Sequence, residues 1–365
     1  MIRLFAVHMP PEVDAPLLQT LHSGYIGQGP RVEEFERKFE TWLGSKPHRA
    51  LSLNSATSAL TLALRLANVE GGEVITTPMT CMATNTPILD NRATPVFADV
   101  DPATGLIDPD DVKRQITPRT RAIIAVDWGG TLCDFDALNE VGIPVIEDAA
   151  HALGAHQRFS APPHGWFTCF SFQAIKHIST GDGGMLVCGS PEDYARGKLL
   201  RWYGIDRDGD RTDFRCEADV SEWGYKFHMN DLAATIGITQ LDHVDRIVAA
   251  HRANAAYYLA NLPAYVKPAF TSAQAEHSAF WLFTVLLPAH ERDAFMSYMN
   301  GRGIQVSKVH ARMDDHTAWR QYATRELPGV TEFYDRECCI PVHWALRPED
   351  REEVVAAMHD FGGRA

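Results

Sequence analysis

The sequence predicts an α/β protein: a large domain with a mostly parallel central sheet flanked by helices, followed by a small α/β C-terminal domain. Three observations carry this. Short apolar runs alternate with helix-period segments through the first two-thirds of the 365 residues. Those runs are near-continuous rather than alternating, as strands buried on both faces require. The chain is also well beyond the ~150 residues of a typical single domain.

Taken in order, "RALSL" (49–53) reads as a strand leading into the helix "SATSALTLALRLA", and "EVITT" as a strand leading into "MATNTPILDN". "TPVFADV" and "RAIIAVDW" are strands, "FDALNEV" is helical, and "IPVIEDA", "TCFSF" and "GGMLVCG" are strands again. The polar stretch "RDGDRTDFRCEADVSE" reads as a surface loop. Residues 230–262 have the pattern of one long helix closed by Pro263. The domain boundary is placed inside it, dividing 1–245 from 246–365. Beyond it, "FWLFTVLL" is a strand, and "RDAFMSYMNGRG" and "DREEVVAAMHDF" are helices. No internal repeat or low-complexity tract interrupts the series.

Composition narrows the function. A net charge of −13 opposes nucleic acid binding, which needs a basic face. Seven scattered cysteines without a CxxC argue against a disulfide framework or zinc ribbon and favour a reducing cytoplasm. The opening "MIRLFAVHMPPEVDAP" lacks the layout of a secretory leader, and no apolar run approaches the ~20 residues that span a bilayer. Sixteen histidines include no HExxH and no Cys/His pair at ligand spacing, so no metal is expected.

Two segments carry chemistry. "IPVIEDAAHALGA" delivers Glu147 and Asp148 to the carboxyl end of a strand, where open α/β sheets bind ligands. The ordinary alternative is that Asp148 caps a helix over "AAHAL". Then "SFQAIKHISTGDGG" places Lys176 after the next strand, followed by Gly181, Gly183 and Gly184. A lysine amine and a carboxylate at neighbouring strand ends suit pyridoxal phosphate, which needs an amine for its aldehyde and an acid for its ring nitrogen. Burial would depress the lysine's pKa so that it can attack. The glycines are expected to leave room for the planar ring. "NSATSAL" (54–60) would hold the phosphate at a helix N-terminus, with the hydroxyls of Thr57 and Ser58 and a further one from Ser171. Plain N-capping by Asn54 or Ser55 is the alternative there.

The segments "SGYIGQGPRVEEFE", "NSATSALTLAL", "VIEDAAHALGA", "SFQAIKHISTGDGG", "RWYGID" and "GYKFHMNDLAATIGITQL", with fainter echoes in "VSKVHARMD" and "CIPVHW", resemble the DegT/DnrJ-type sugar-nucleotide aminotransferases. These are pyridoxal phosphate enzymes of fold type I. The resemblance implies that Lys176 carries the cofactor and shuttles a proton. It implies that Asp148 meets the ring nitrogen, that His151 meets the phenolic oxygen, and that Thr57, Ser58 and Ser171 hold the phosphate. It also implies a homodimer with shared sites. Departures from the family pattern are specific. Cys81, or its neighbour Met79 or Met82, stands where an aromatic usually stacks on the ring. Lys226 replaces an asparagine that reaches across the dimer to the phosphate, a contact that otherwise falls to Asn230. Asp182 replaces a glutamate, and Tyr203 a histidine. Lys176 itself is retained, whereas a dehydrating branch of the fold has histidine there, so amino transfer is the expected reaction.

The implied reaction moves an amino group from L-glutamate to a nucleotide-linked keto-sugar in two half-reactions at one site, with ping-pong kinetics. Candidate substrate contacts are Tyr25, Arg201, Tyr203, His310 and Arg312, with Arg207, Lys226 and His228 as further cations for a diphosphate. A cyclitol or other keto substrate, a lyase reaction, and a non-catalytic regulatory protein on the same fold are the alternatives.

Overall fold

The computed structural model describes residues 1–44, 49–155, 167–209 and 219–363. Seven strands form the large sheet: β1 (Ala50–Leu53), β2 (Glu73–Thr76), β3 (Thr94–Phe97), β4 (Thr120–Val126), β5 (Val145–Asp148), β6 (Phe167–Ser171) and β7 (Gly184–Cys188). Their order is β1-β7-β6-β5-β4-β2-β3. The ladders joining β3, β2, β4, β5 and β6 are parallel, and only β7 runs against its neighbours β6 and β1. Every residue of β1 and β5 is buried, which explains the unbroken apolar runs.

Each face of the sheet has its own core. Leu51, Leu53, Phe167 and Cys169 pack with Leu60, Leu62 and Leu64 of the Ala56–Leu66 helix. Strand alternation sends Phe170 and Phe172 to the other face, where they meet Phe35 and Phe39 of the Pro30–Leu43 helix. β8 (Lys267–Pro268), β9 (Phe283–Leu286) and β10 (Glu337–Ile340) form a second, antiparallel sheet in the order β10-β9-β8. Helices Arg292–Gly301 and Pro348–Gly362 supply Phe295, Met299, Val354 and Met358 to the same core.

Two expectations change. Residues 230–262 are not one helix: Asp231–Leu241 ends, and Val244–Asn261 begins after a break of two residues. The last turn tightens into bonds from Asp242 N–H to Thr239 O (3.3 Å) and from His243 N–H to Gln240 O (3.0 Å). Val244, Ile247 and Val248 then pack in the large core, while Ala255 and Tyr258 pack in the small one. The N-terminus also joins the small unit, since Ile2 packs there and bridges Ile304. The loop expected at 207–222 lies largely outside the described residues.

Of the glycines after Lys176, Gly183 lines the cavity, whereas Gly184 is used differently from the expectation. A Cβ on Gly184 would lie 2.4 Å from Ser55 C and 2.5 Å from Ala56 N. The absence of a side chain therefore brings β7 against the start of the Ala56–Leu66 helix rather than clearing space for a ring. Gly184→Ala should cost about 1–3 kcal/mol of stability because the obstacle is backbone. Thermal unfolding of the variant checks this; an unchanged melting temperature would contradict it.

Candidate active site

Asp148 ends β5, and Lys176 follows β6, the strand paired to it in parallel register. Both line one cavity of about 540 Å³ at the carboxyl ends of these strands, together with Thr57, Cys81, His151, Ser171 and His310. No helix covers 149–153, so the helix-capping alternative for Asp148 falls away. Its carboxylate accepts instead from Thr84 Oγ1 (2.7 Å) and Ala150 N–H (3.1 Å). Among the described residues no cation is hydrogen-bonded to it. Burial raises its pKa, and Thr84, Ala150 and the charge of Lys176 pull it back. A buried acid with this vacancy in its bonding is suited to a cationic N–H.

Burial also lowers the Lys176 amine to about 7, against smaller upward pulls from Asp148 and Cys81. Half of the amine is therefore neutral near physiological pH, where an exposed lysine would be almost wholly protonated. His151 is buried and held far below its usual pKa, by burial first and then by Lys176, His310 and His177. Gly129 N–H donates to its Nδ1 (3.3 Å), which leaves the neutral ring's hydrogen on Nε2. His310 is lowered to about 4 by burial and Lys176. Its ring lies parallel to that of His151 at 5.9 Å, and its Nε2 is buried without a partner. Val309, immediately before it, has φ 65°, a strained value for a β-branched residue.

The "NSATSAL" segment starts the Ala56–Leu66 helix at the edge of the cavity, and its hydroxyls divide their duties. Ser55 caps the Ala56–Leu66 helix by accepting from Ser58 N–H (3.0 Å), and Ser58 Oγ donates to Asn54 Oδ1 (2.6 Å). Ser58 is thus spent on the cap, and the capping alternative and the cradle coexist. Ala56, Thr57 and Ser171 line the cavity. The first-turn N–H groups of Ala56 and Thr57 have no acceptor among the described residues. They sit at the positive end of the helix.

Other expected residues are elsewhere. Arg201 is 2 % exposed and bound to Glu36 and to Ser52 O (3.1 Å), so it is a buried structural cation and not a substrate contact. Arg312 is held by Asp314 (2.8 Å) and Thr331 (2.9 Å) outside the cavity. Tyr25 is exposed and lines a separate cleft with Arg31, Glu34 and Asp231. Tyr203, Lys226 and Asn230 are exposed away from this chain's cavity; Asn230 caps the Asp231–Leu241 helix. Arg207 and His228 flank Trp202 instead. Of the ring-stacking candidates, Cys81 lines the cavity, whereas Met79 is in the core and Met82 is largely exposed.

Sequence reasoning missed Thr84, Phe5 and Trp281, all of which line the cavity. Thr84 sits four residues after Thr80, to which it is bonded (2.7 Å), a spacing with no special signature. Phe5 and Trp281 stack at 5.0 Å across 276 positions of sequence.

A near-neutral lysine and a cation-seeking carboxylate on one cavity, with an anion cradle at its edge, fit pyridoxal phosphate: Lys176 for the aldehyde, Asp148 for the ring nitrogen, the helix start for the phosphate. Fold and site are those of a pyridoxal phosphate-dependent transaminase. The chain belongs to the DegT/DnrJ/EryC1/StrS aminotransferase family, whose model matches residues 9–359. It superposes on the sugar aminotransferase CalS13 of Micromonospora echinospora with a TM-score of 0.92 and 37% identity, covering 99% of this chain and 100% of that one. Spore coat polysaccharide biosynthesis protein SpsC of Bacillus subtilis is 31% identical over 94% of this chain and 92% of its own length. The putative sugar aminotransferase Spr1654 of Streptococcus pneumoniae, in its PLP form, matches at a TM-score of 0.88 and 25% identity over 100% of this chain and 99% of that one. Among the described residues no helix is long and apolar enough to cross a membrane, and no group of His, Cys, Asp and Glu is placed to hold a metal.

Two outcomes follow from this geometry. Arg201→Met would leave Glu36 buried without its cation and should cost about 3–5 kcal/mol, read from denaturant unfolding; a loss of sugar binding at unchanged stability would contradict the structural role. Because Lys176 is neutral above its lowered pKa, the rate of pyridoxal phosphate uptake by the apoprotein should rise with pH and level off just above about 7. A rate still climbing at pH 9 would contradict the burial argument.

Proposed function

We propose that the protein transfers an amino group from L-glutamate to the carbonyl carbon of a nucleotide-linked keto-sugar. The observation that carries the reading is the shared cavity of Lys176 and Asp148, with the amine near neutrality and the carboxylate lacking a bonded cation. Bound pyridoxal phosphate supplies an aldehyde for amines and an electron-accepting ring. The protein's residues do the rest. Asp148 would accept the ring nitrogen's hydrogen and keep it in place. His151 would donate its Nε2–H to the phenolic oxygen, and Cys81 would pack against the ring. Ala56 and Thr57 N–H, with the hydroxyls of Thr57 and Ser171, would hold the phosphate. Lys176 Nζ would carry the proton of the donor's α-carbon to the cofactor and, in the second half-reaction, carry a proton from the cofactor to the acceptor's former carbonyl carbon.

Donor and acceptor use the cavity in turn, so the kinetics are ping-pong. Lys176 is the only ammonium among the described lining residues, and none of them is a guanidinium. The anionic substrates therefore need cations from outside this wall. In our reading a second copy contributes across a homodimer in the cytoplasm, with the cation of the exposed Lys226, or else the amide of Asn230, reaching the neighbour's phosphate. The polysaccharide role named for SpsC and the sugar aminotransferase CalS13 support a sugar acceptor.

L-Glutamate should convert the visible absorbance of the loaded enzyme to that of the amine form, and steady-state plots against a panel of keto-sugar nucleotides should be parallel. Lys176→Ala should slow the glutamate-driven change by about 10²–10⁴-fold while the protein still binds the cofactor. Indifference to every amino donor, or intersecting lines, would count against the proposal.

A further inference from the structure

The residues around Lys176 contain a contact that the roles above do not use. Lys176 Nζ lies 3.5 Å from the ring centroid of Trp281. The indole is buried, at 3 % exposure, and stacks on His151 at 3.9 Å and on Phe5 at 5.0 Å. Its N–H donates to Ile175 O (2.9 Å), the residue before the lysine. On the other side, His177 Nε2–H donates to Ala279 O (3.0 Å). Two hydrogen bonds thus flank Lys176 and fasten residues 175–177 to 279–281.

The Trp281 segment is itself held in an unusual shape. Phe280 has φ 48°, and its carbonyl accepts from His251 Nδ1 (2.7 Å). Ala279 N–H bonds to Gly130 O (3.0 Å) and Leu282 N–H to Gly129 O (3.1 Å). Gly129 and Gly130 have φ of 65° and 94°, and a Cβ on Gly130 would stand 3.2 Å from Trp281 N and 2.8 Å from His151 O. Three segments distant in sequence are locked together beneath one ring. Simple core packing would not require the ring to face an amine.

We infer that Trp281 is a positioning residue for Lys176: its π-face holds the amine, whenever that amine is not bonded to cofactor, at the spot from which it moves protons. The attraction of a cation to an indole face strengthens as the pair is desolvated, and this ring is buried. The face also favours the protonated amine and partly offsets burial. The other groups facing Lys176 are Asp148, Cys81, Asp182, His151, His177 and His310. Of these, only the acidic ones would stabilise its charge.

This inference rests on Lys176 being the cofactor lysine, and the test separates the two claims. Uptake of pyridoxal 5′-phosphate by the apoprotein is followed by absorbance from pH 5 to 9 for the native chain, Trp281→Phe and Trp281→Leu. Both variants lack the indole N–H, and both keep the site apolar; they differ in whether a ring face remains. The midpoint should fall by about one pH unit in the leucine variant relative to the native chain, with phenylalanine between. Circular dichroism and melting curves confirm folding; should the leucine variant not fold, the phenylalanine variant compared with native must still show the downward shift. Equal midpoints in all the folded proteins, with slower uptake only, would mean that Trp281 is a structural residue and overturn the inference. Failure of the native chain to take up cofactor would instead overturn the proposed function.

Discussion

The site depends on the removal of water from one amine. An ammonium in water is stable to about pH 10.5; surrounded by apolar side chains, the same group at position 176 gives up its proton near 7. That dehydration needs walls, and the walls come from remote parts of the chain: Leu4 and Phe5 from the N-terminus, Ile175 from the segment after β6, Trp281 at the approach to β9 and Val309 from the small unit. The cavity therefore exists only when both cores are assembled and the N-terminal residues are docked beside Gln305, whose Oε1 accepts from Leu4 N–H (3.1 Å). The chemistry of a single side chain thereby becomes a consequence of the whole tertiary structure.

Opposing requirements meet in the same space. Burial makes Lys176 a better nucleophile but makes Asp148 harder to ionise. The protein resolves this with Thr84 and Ala150, which donate to the carboxylate without adding charge, so a cationic group arriving at Asp148 finds the acid oriented and unsatisfied. His151 is treated likewise: a backbone N–H from the glycine turn fixes its tautomer and burial keeps it neutral. Val309 in the cavity wall and Phe280 beside Trp281 both hold backbone geometry that a β-branched or aromatic residue resists, enforced by packing.

Much of this was legible in the sequence because it is local. Four-residue apolar runs bounded by turns announced β1, β2, β3 and β5, and the parallel order placed Asp148 and Lys176 on adjacent strand ends. The Ser/Thr-rich start of the Ala56–Leu66 helix announced the cradle, although which hydroxyl caps and which faces the cavity depends on rotamers that composition does not encode. The illegible parts are long-range. Arg201 read as a candidate substrate contact because nothing in "RWYGID" reveals that Glu36, 165 positions earlier, lies beside it. Trp281 read only as part of the strand "FWLFTVLL", because its partners come from residues 5, 151 and 175–176. The helix break at 242–243 left no glycine or proline as a marker.

The central claim is that the amine at position 176, and no other, becomes covalently joined to pyridoxal phosphate. Reduction of the loaded enzyme with borohydride, followed by proteolysis and mass spectrometry, addresses it directly. The account predicts a single phosphopyridoxyl adduct on the peptide containing "SFQAIKHISTGDGG", at Lys176. An adduct confined to another lysine, or a protein that retains cofactor yet yields no adduct, would contradict it.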